Sequence, residues 1–220
     1  SNFLLGGTQN KATSPKLISN YTYNTDHDNF NDLGYDVGCT SPTVTNNYFS
    51  SGGALMINNC SSMTITGNTF HGNISGFTQS AFPNNTYYDQ TPTGVKVFVR
   101  PNAYEAKRAH IVVYNWALQN TVAVNVSGIL TPGDGFEVRN AADFFGAPVL
   151  TGTYSGGSIT LPMNGLSVAT PVGIVAPDPT GPEFNVFVLL PASPGGVPTV
   201  TPTGGAATAT KTPTRTSTRT

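Results

Sequence analysis

Two styles of hydrophobic patterning divide the chain. In the first 80 residues short apolar–polar alternations recur as a repeat. Thr43-Val44-Thr45-Asn46-Asn47-Tyr48-Phe49 returns 21 residues later as Thr64-Ile65-Thr66-Gly67-Asn68-Thr69-Phe70, and the same offset brings Cys39 onto Cys60. A fainter copy, Ile18-Ser19-Asn20-Tyr21-Thr22-Tyr23, precedes the first by 26 residues. A unit this short cannot bury its own apolar face, so the pattern predicts stacked coils of short strands. Val44 over Ile65 and Phe49 over Phe70 are the expected interior columns. Asn47 and Asn68 are expected at a bend, where asparagine tolerates left-handed φ and its amide reaches the neighbouring coil.

From residue 94 to 191 the alternation loses its repeat. Val95, Val97 and Val99 alternate, as do Ile111 and Val113, then Val122, Val124 and Val126; further runs are Phe136-Glu137-Val138, Ser158 to Leu161 and Phe184 to Leu190. Pro132-Gly133-Asp134-Gly135, Ser155-Gly156-Gly157 and Gly181-Pro182 punctuate them. Short strands at about ten-residue spacing predict an antiparallel β-sandwich. No segment keeps a helical period. The fold class is therefore all-β: parallel β-helix coils over 1–80, a connector over 81–93, a sandwich over 94–191, and a Thr/Pro-rich linker over 192–220 that lacks the apolar residues for a core.

Composition changes this picture little. Charged residues make up 10 % of the 220, well below the roughly 25 % of an ordinary soluble domain. Net charge is −1, which argues against a nucleic-acid partner. No apolar run approaches the ~18 residues of a membrane span. The opening Ser1-Asn2-Phe3-Leu4-Leu5-Gly6-Gly7 resembles the middle of a strand, and the last residues stop inside low complexity. We therefore expect a piece of a longer protein, with more coils upstream and a module or anchor downstream.

The repeat, with its Ile65-Thr66-Gly67-Asn68-Thr69-Phe70 core, resembles the pectate-lyase-like right-handed parallel β-helix family. The strand plan of 94–191, with Gly135-Phe136-Glu137-Val138-Arg139-Asn140 and the closing Val186 to Leu190, is similar to the small β-sandwich appended to many glycoside hydrolases. Together these resemblances imply a secreted or cell-surface protein acting on polysaccharide, of lyase or glycoside hydrolase type, with this part mainly structural. The alternative is a non-enzymatic, adhesin-like or filament-forming β-helix on a Thr/Pro stalk. One fold hosts many activities, so chemistry has to be argued from residues.

Candidate chemistry is sparse. The cluster Asn24-Thr25-Asp26-His27-Asp28-Asn29-Phe30-Asn31-Asp32 allows a solvated loop, a calcium site using Asp26, Asp28 and Asp32, or a catalytic site using Asp26 and Asp28. The catalytic option has one family handle: polygalacturonases carry Asn-Thr-Asp and Gly-His-Gly in that order, and here Asn24-Thr25-Asp26 precedes Phe70-His71-Gly72. The Asp pair and the Arg-Ile-Lys of that family are absent, so the set is incomplete. His71 is either a base or an exposed turn residue. Tyr114 and Trp116 are candidates to stack on a sugar ring, with packing in the core or domain interface as the alternative for Trp116. Asp143-Phe144-Phe145-Gly146 is expected to plug the sandwich or dock it on the coils. Cys39 and Cys60 are either a buried ladder of small side chains or a vertical disulfide, since coils about 4.8 Å apart suit both.

Overall fold

The computed structural model describes residues 2–23, 30–90, 92–175 and 177–192. The fold is all-β, with parallel curled coils followed by a sandwich-like pair of antiparallel sheets. Eleven strands build the first three coils: β1 (Leu4–Gly7), β2 (Ala12–Thr13), β3 (Lys16–Ile18), β4 (Tyr21–Tyr23), β5 (Phe30–Asp36), β6 (Cys39–Thr40), β7 (Thr43–Thr45), β8 (Tyr48–Ile57), β9 (Cys60–Ser61), β10 (Thr64–Thr66) and β11 (Thr69–Ser75). They form three parallel sheets, β2-β6-β9, β3-β7-β10, and a larger one in which β8 lies between β11 on one side and β4 and β5 on the other. The register follows the sequence repeat, Val44 on Ile65 and Phe49 on Phe70. The Phe49 and Phe70 rings stack 5.2 Å apart at 5°.

The fainter repeat copy is shifted by one residue from the expected alignment. Leu17, not Ile18, pairs with Val44, and Tyr21 pairs with Tyr48. A one-residue slip in a strand exchanges its two faces. Leu17 accordingly lies in the core while Ile18 is 48 % exposed.

Each coil turns at two tight corners. The left-handed residues are Ser14, Ser41 and Ser62 at one corner and Ser19, Asn46 and Gly67 at the other. The left-handed φ thus falls one position before Asn47 and Asn68, which serve instead as the rungs of an amide ladder. Asn47 Oδ1 accepts from the backbone N–H and Nδ2 of Asn20, Asn68 Oδ1 from those of Asn47, and Asn85 Oδ1 from those of Asn68, all at 2.8–2.9 Å. Each Nδ2 also reaches a carbonyl of the coil before its own, Leu17 for Asn47, Val44 for Asn68 and Ile65 for Asn85. A stacked corner turns its backbone groups inward, and the ladder supplies their partners.

Cys39 and Cys60 face each other in register on β6 and β9 and are disulfide-bonded, with Cα atoms 4.4 Å apart. The bond sits against Gly34, where φ is +85° and a Cβ would lie 2.6 Å from Cys60 Sγ. Only glycine fits that position.

The stack runs past the expected end at residue 80. β12 (Thr86–Tyr88) pairs in parallel with β11, and Tyr87 stacks on Phe70 at 5.2 Å. This last rung is reached in 17 residues instead of 21. The Phe77 and Phe82 rings, placed by the short Gln79–Ala81 turn, pack onto the coil core.

The sandwich comprises β13 (Val95–Pro101), β14 (Ala109–Asn115), β15 (Thr121–Asn125), β16 (Gly135–Asn140), β17 (Leu150–Thr153), β18 (Ser158–Pro162) and β19 (Phe184–Pro191). One sheet has the order β13-β14-β19-β16-β17, and β15 with β18 forms the other. Ile111, Val113, Val138, Phe187 and Leu189 meet Val122, Val124, Ile159 and Leu161 in the core between them. Strand β14 breaks simple alternation because Ile111-Val112-Val113-Tyr114 is apolar without interruption. Such a run suits a strand buried on both faces. One face of β14 lines the sandwich core, and the other, through Val112 and Tyr114, packs with Tyr48 of the coils.

The Asp143–Gly146 run does neither thing expected of it. Phe145 is 95 % exposed, and Phe144 lies against the Arg139 guanidinium, 5.9 Å from its centre.

Candidate ligand cleft at the junction of coils and sandwich

The site is built on the outward face of β4, β8, β11 and β12. Register places Thr22, Phe49, Phe70 and Tyr87 in one column. Flanking positions, two residues apart, point the other way. They put Tyr21 and Tyr48 in one outward column and Tyr23, His71 and Tyr88 in the next. The Tyr-Thr-Tyr of β4 therefore turns its threonine inward and both rings toward the sandwich.

The sandwich meets them with Phe98, Val112, Tyr114, Trp116, Phe184 and Val186. Tyr21 packs on Phe98 at 4.5 Å, Tyr23 stacks on Phe184 at 4.6 Å and 4°, and Tyr48 lies 4.9 Å from Tyr114. Tyr114 Oη donates to the Thr22 carbonyl at 2.8 Å. Burial pushes the Tyr114, Tyr48 and Tyr23 phenols well above the usual tyrosine range; Tyr114 is pushed further by Tyr48 and Tyr21, and Tyr23 by the Glu183 carboxylate. These groups stay neutral, and Tyr114 and Tyr23 donate hydrogen bonds, the latter to Glu183.

This seam decides the placing of several candidates. Tyr114 is fully buried. Both of its faces are covered within the seam. Trp116 is half-buried at the edge of the seam, stacked on Tyr114 at 5.1 Å. His71 is not an exposed turn residue. It lies within β11, stacked on Tyr88 at 4.4 Å and 7°, with Tyr48 at 5.4 Å and Trp116 at 6.2 Å. Burial lowers its pKa, opposed by a backbone hydrogen bond at Gln90, and its Nδ1 is buried without a partner.

Asp26 and Asp28 lie outside the described residues, so the calcium and catalytic readings of that cluster have no geometry here. Asp32 is described and buried at 6 % exposure. Asn58 Nδ2 donates to its Oδ1 at 2.8 Å, and burial raises its pKa despite that bond. Among the described residues no group of three or more His, Cys, Asp or Glu side chains is placed to hold a metal ion.

Where the seam ends, the two halves diverge and leave a cleft of about 410 Å³. Its lining includes Asn20, Tyr21, Arg100, Asn102, Tyr104 and His110. The coil corner at Ser19–Tyr21 makes one wall. The β13–β14 hairpin makes the other, with Arg100 directly opposite His110 across the ladder. Arg100 Nη1 donates to the Ser19 carbonyl, and its guanidinium lies 5.5 Å from the centre of the Tyr21 ring. Residues 102–108 connect the strands and carry Tyr104, which is 99 % exposed. The loop is nevertheless held in place. Asn102 Oδ1 accepts from the Tyr104 and Glu105 N–H groups at 2.8 and 2.9 Å, Arg108 pairs with Glu105 at 2.8 Å, and Lys107 with Asp134 at 2.7 Å. Lys107, with the Thr131 bonds, holds the Asp134 carboxyl down at about 2.

None of these cleft residues was singled out by the sequence patterns. Phe98 and Arg100 are recognisably on one face of β13, but the hairpin register that sets His110 beside Arg100 passes through an irregular loop.

A second cavity, of about 300 Å³, lies beside Asn140, Asn164, Asp178 and Asn185. Its asparagines are already engaged: Asn140 accepts from Asn185 and Ala142 and donates to the Ser167 carbonyl. Among the described residues no helix is long and apolar enough to cross a membrane. Compared with family models, with curated proteins and with solved structures, the chain has no match.

Proposed function

We propose that this chain is a non-catalytic part of an extracellular polysaccharide-acting protein, and that the cleft between coils and sandwich holds a saccharide chain without cleaving it. The observation that carries this reading is the lining of the cleft. Two tyrosine rings, a guanidinium and two asparagines, each bonded in part within its own wall, line a concave surface on which no aspartate or glutamate stands among the described residues. Rings and amides suit the apolar faces and hydroxyls of sugars, and clefts between packed units are common binding sites. Glycoside hydrolysis requires two carboxyl groups, and the described residues that line this cleft supply none. The Cys39–Cys60 bond supports an oxidising, extracellular setting.

The test is to run the chain on native gels cast with a panel of soluble polysaccharides, while assaying the same mixtures for new reducing ends and for unsaturated products by ultraviolet absorbance. Retardation by at least one polysaccharide with no product is expected. Failure of every polysaccharide to retard the chain, or turnover that is lost on substitution in the cleft, would contradict the proposal.

A further inference from the structure

Among the described residues, the cleft holds a cation, Arg100, with no anion beside it. Among the described residues the ion pairs are Lys107–Asp134, Arg108–Glu105 and Arg139–Glu137. Arg100 belongs to none of them, and no carboxylate is among the described residues that line the cleft it faces. It is also pre-oriented. One of its five N–H donors is fixed on the Ser19 carbonyl, and the planar group rests against the Tyr21 ring. The remaining edge of the guanidinium is a fork that matches an oxyanion bidentately. His110, its cross-strand neighbour, adds a further imidazole nitrogen on the same face.

Tyr104 is the second element. A nearly fully exposed ring costs favourable burial unless something covers it. Here the ring projects from a loop tied down by Asn102 and two ion pairs, so little ordering entropy remains to be lost when a flat ligand face stacks on it.

We infer that the cleft selects anionic saccharides, with Arg100 receiving a carboxylate or sulfate group and Tyr104 stacking on the sugar ring. This rests on the saccharide-holding reading above and adds the ligand class to it. Uronic acids and sulfate esters share the chemistry of a multi-oxygen anion on a sugar ring, and the guanidinium fork accepts either.

The experiment compares a polyuronate, a sulfated polysaccharide and a neutral glucan by affinity electrophoresis and titration calorimetry. It uses the full chain and four variants, each first checked for an unchanged melting temperature. Arg100→Gln removes the charge, Tyr104→Ala removes the ring, and Tyr104→Phe keeps it. Lys96→Gln removes a cation that lies over Phe98 outside the cleft. At least one acidic polymer should bind more tightly than the glucan, and binding should weaken with added salt. Arg100→Gln should weaken acidic binding about tenfold or more, the scale of one charge-assisted hydrogen bond. Tyr104→Ala should weaken it as well, while Tyr104→Phe and Lys96→Gln should bind as the parent does. Preference for the polyuronate or for the sulfated polymer alone identifies the anion and supports the inference. Equal binding of the neutral glucan, unaffected by Arg100→Gln, would overturn the inference while leaving the saccharide-holding reading intact. Binding of no polymer at all would overturn both.

Discussion

Tyr114 Oη on β14 donates to the backbone carbonyl of Thr22 on β4 at 2.8 Å, and the ring beneath it has no exposed surface. This one bond ties the sandwich to the coil stack across 92 residues of sequence. Removing the hydroxyl takes away this buried bond between the halves, and removing the ring opens a cavity at the centre of the seam. Tyr114→Phe should therefore lose about 1–2 kcal/mol of stability. Tyr114→Ala should lose about 3–5 kcal/mol. Urea unfolding monitored separately by far-ultraviolet circular dichroism and by Trp116 fluorescence checks both values. In the alanine variant the two signals should also separate, because the sandwich loses its hold on the coils.

The asparagine ladder gives a second prediction. Asn68 Oδ1 accepts two bonds from Asn47, and its Nδ2 donates to the Val44 carbonyl and to Asn85. Asn68→Ala strands several of these buried groups at once and should cost at least ~2 kcal/mol. Asn46, one residue before the neighbouring rung, is left-handed at φ +56°. Asn46→Gly should be near neutral, since glycine meets no penalty there. Thermal melts of the pair separate the ladder from the bend.

Reduction of Cys39–Cys60 frees a loop of 21 residues. Chain-entropy reasoning gives such a crosslink about 3 kcal/mol. A reducing agent should lower the melting temperature of the parent and leave that of a Cys39→Ala, Cys60→Ala double variant unmoved. Equal melting temperatures of the parent with and without reductant would contradict this.

Two ionisable groups, half-buried His71 and buried Asp32, predict opposite responses to pH. Burial lowers the pKa of His71 from the ordinary 6.5. The unfolded chain therefore binds this proton more readily, and stability falls as pH drops below 6.5 toward the lowered value. His71→Phe keeps a ring against Tyr88 and should flatten that part of the acid limb. Burial raises the pKa of Asp32 above 3.8. Its ionised form therefore weakens the fold at neutral pH, and Asp32→Asn should melt higher than the parent at pH 7. The gap should close as pH falls from the raised value through 3.8, below which both states carry the proton. Parallel stability–pH curves for a variant and its parent would count against the corresponding claim.

The coil core was readable because the repeat aligns residues that touch: Val44 with Ile65, Phe49 with Phe70, and Cys39 with Cys60. Leu17 was missed because the first copy is offset by 27 residues, and one residue of slip turns a strand over. The Thr86–Tyr88 rung was missed because its corner arrives early and Tyr87 stands where a phenylalanine is expected. The seam was hidden for a different reason. Tyr21, Tyr48, Phe98 and Tyr114 come from strands whose outward faces meet only through docking, which leaves no periodicity along the chain. The uninterrupted Ile111–Tyr114 run was the one local sign that β14 is covered on both sides. The cleft inherits the same difficulty, since Arg100 and Tyr21 are neighbours only after the two halves pack.

The proposed ligand lies between the Ser19–Tyr21 corner and the β13–β14 hairpin. Hydrogen–deuterium exchange, with and without a saturating concentration of the polysaccharide that retards the chain most, tests this directly. The account predicts slowed exchange in peptides covering 19–21 and 100–110, with peptides covering β15 and β18 unchanged. Slowed exchange at the Asn140–Asp178 cavity instead, with no change at 19–21 and 100–110, would contradict it.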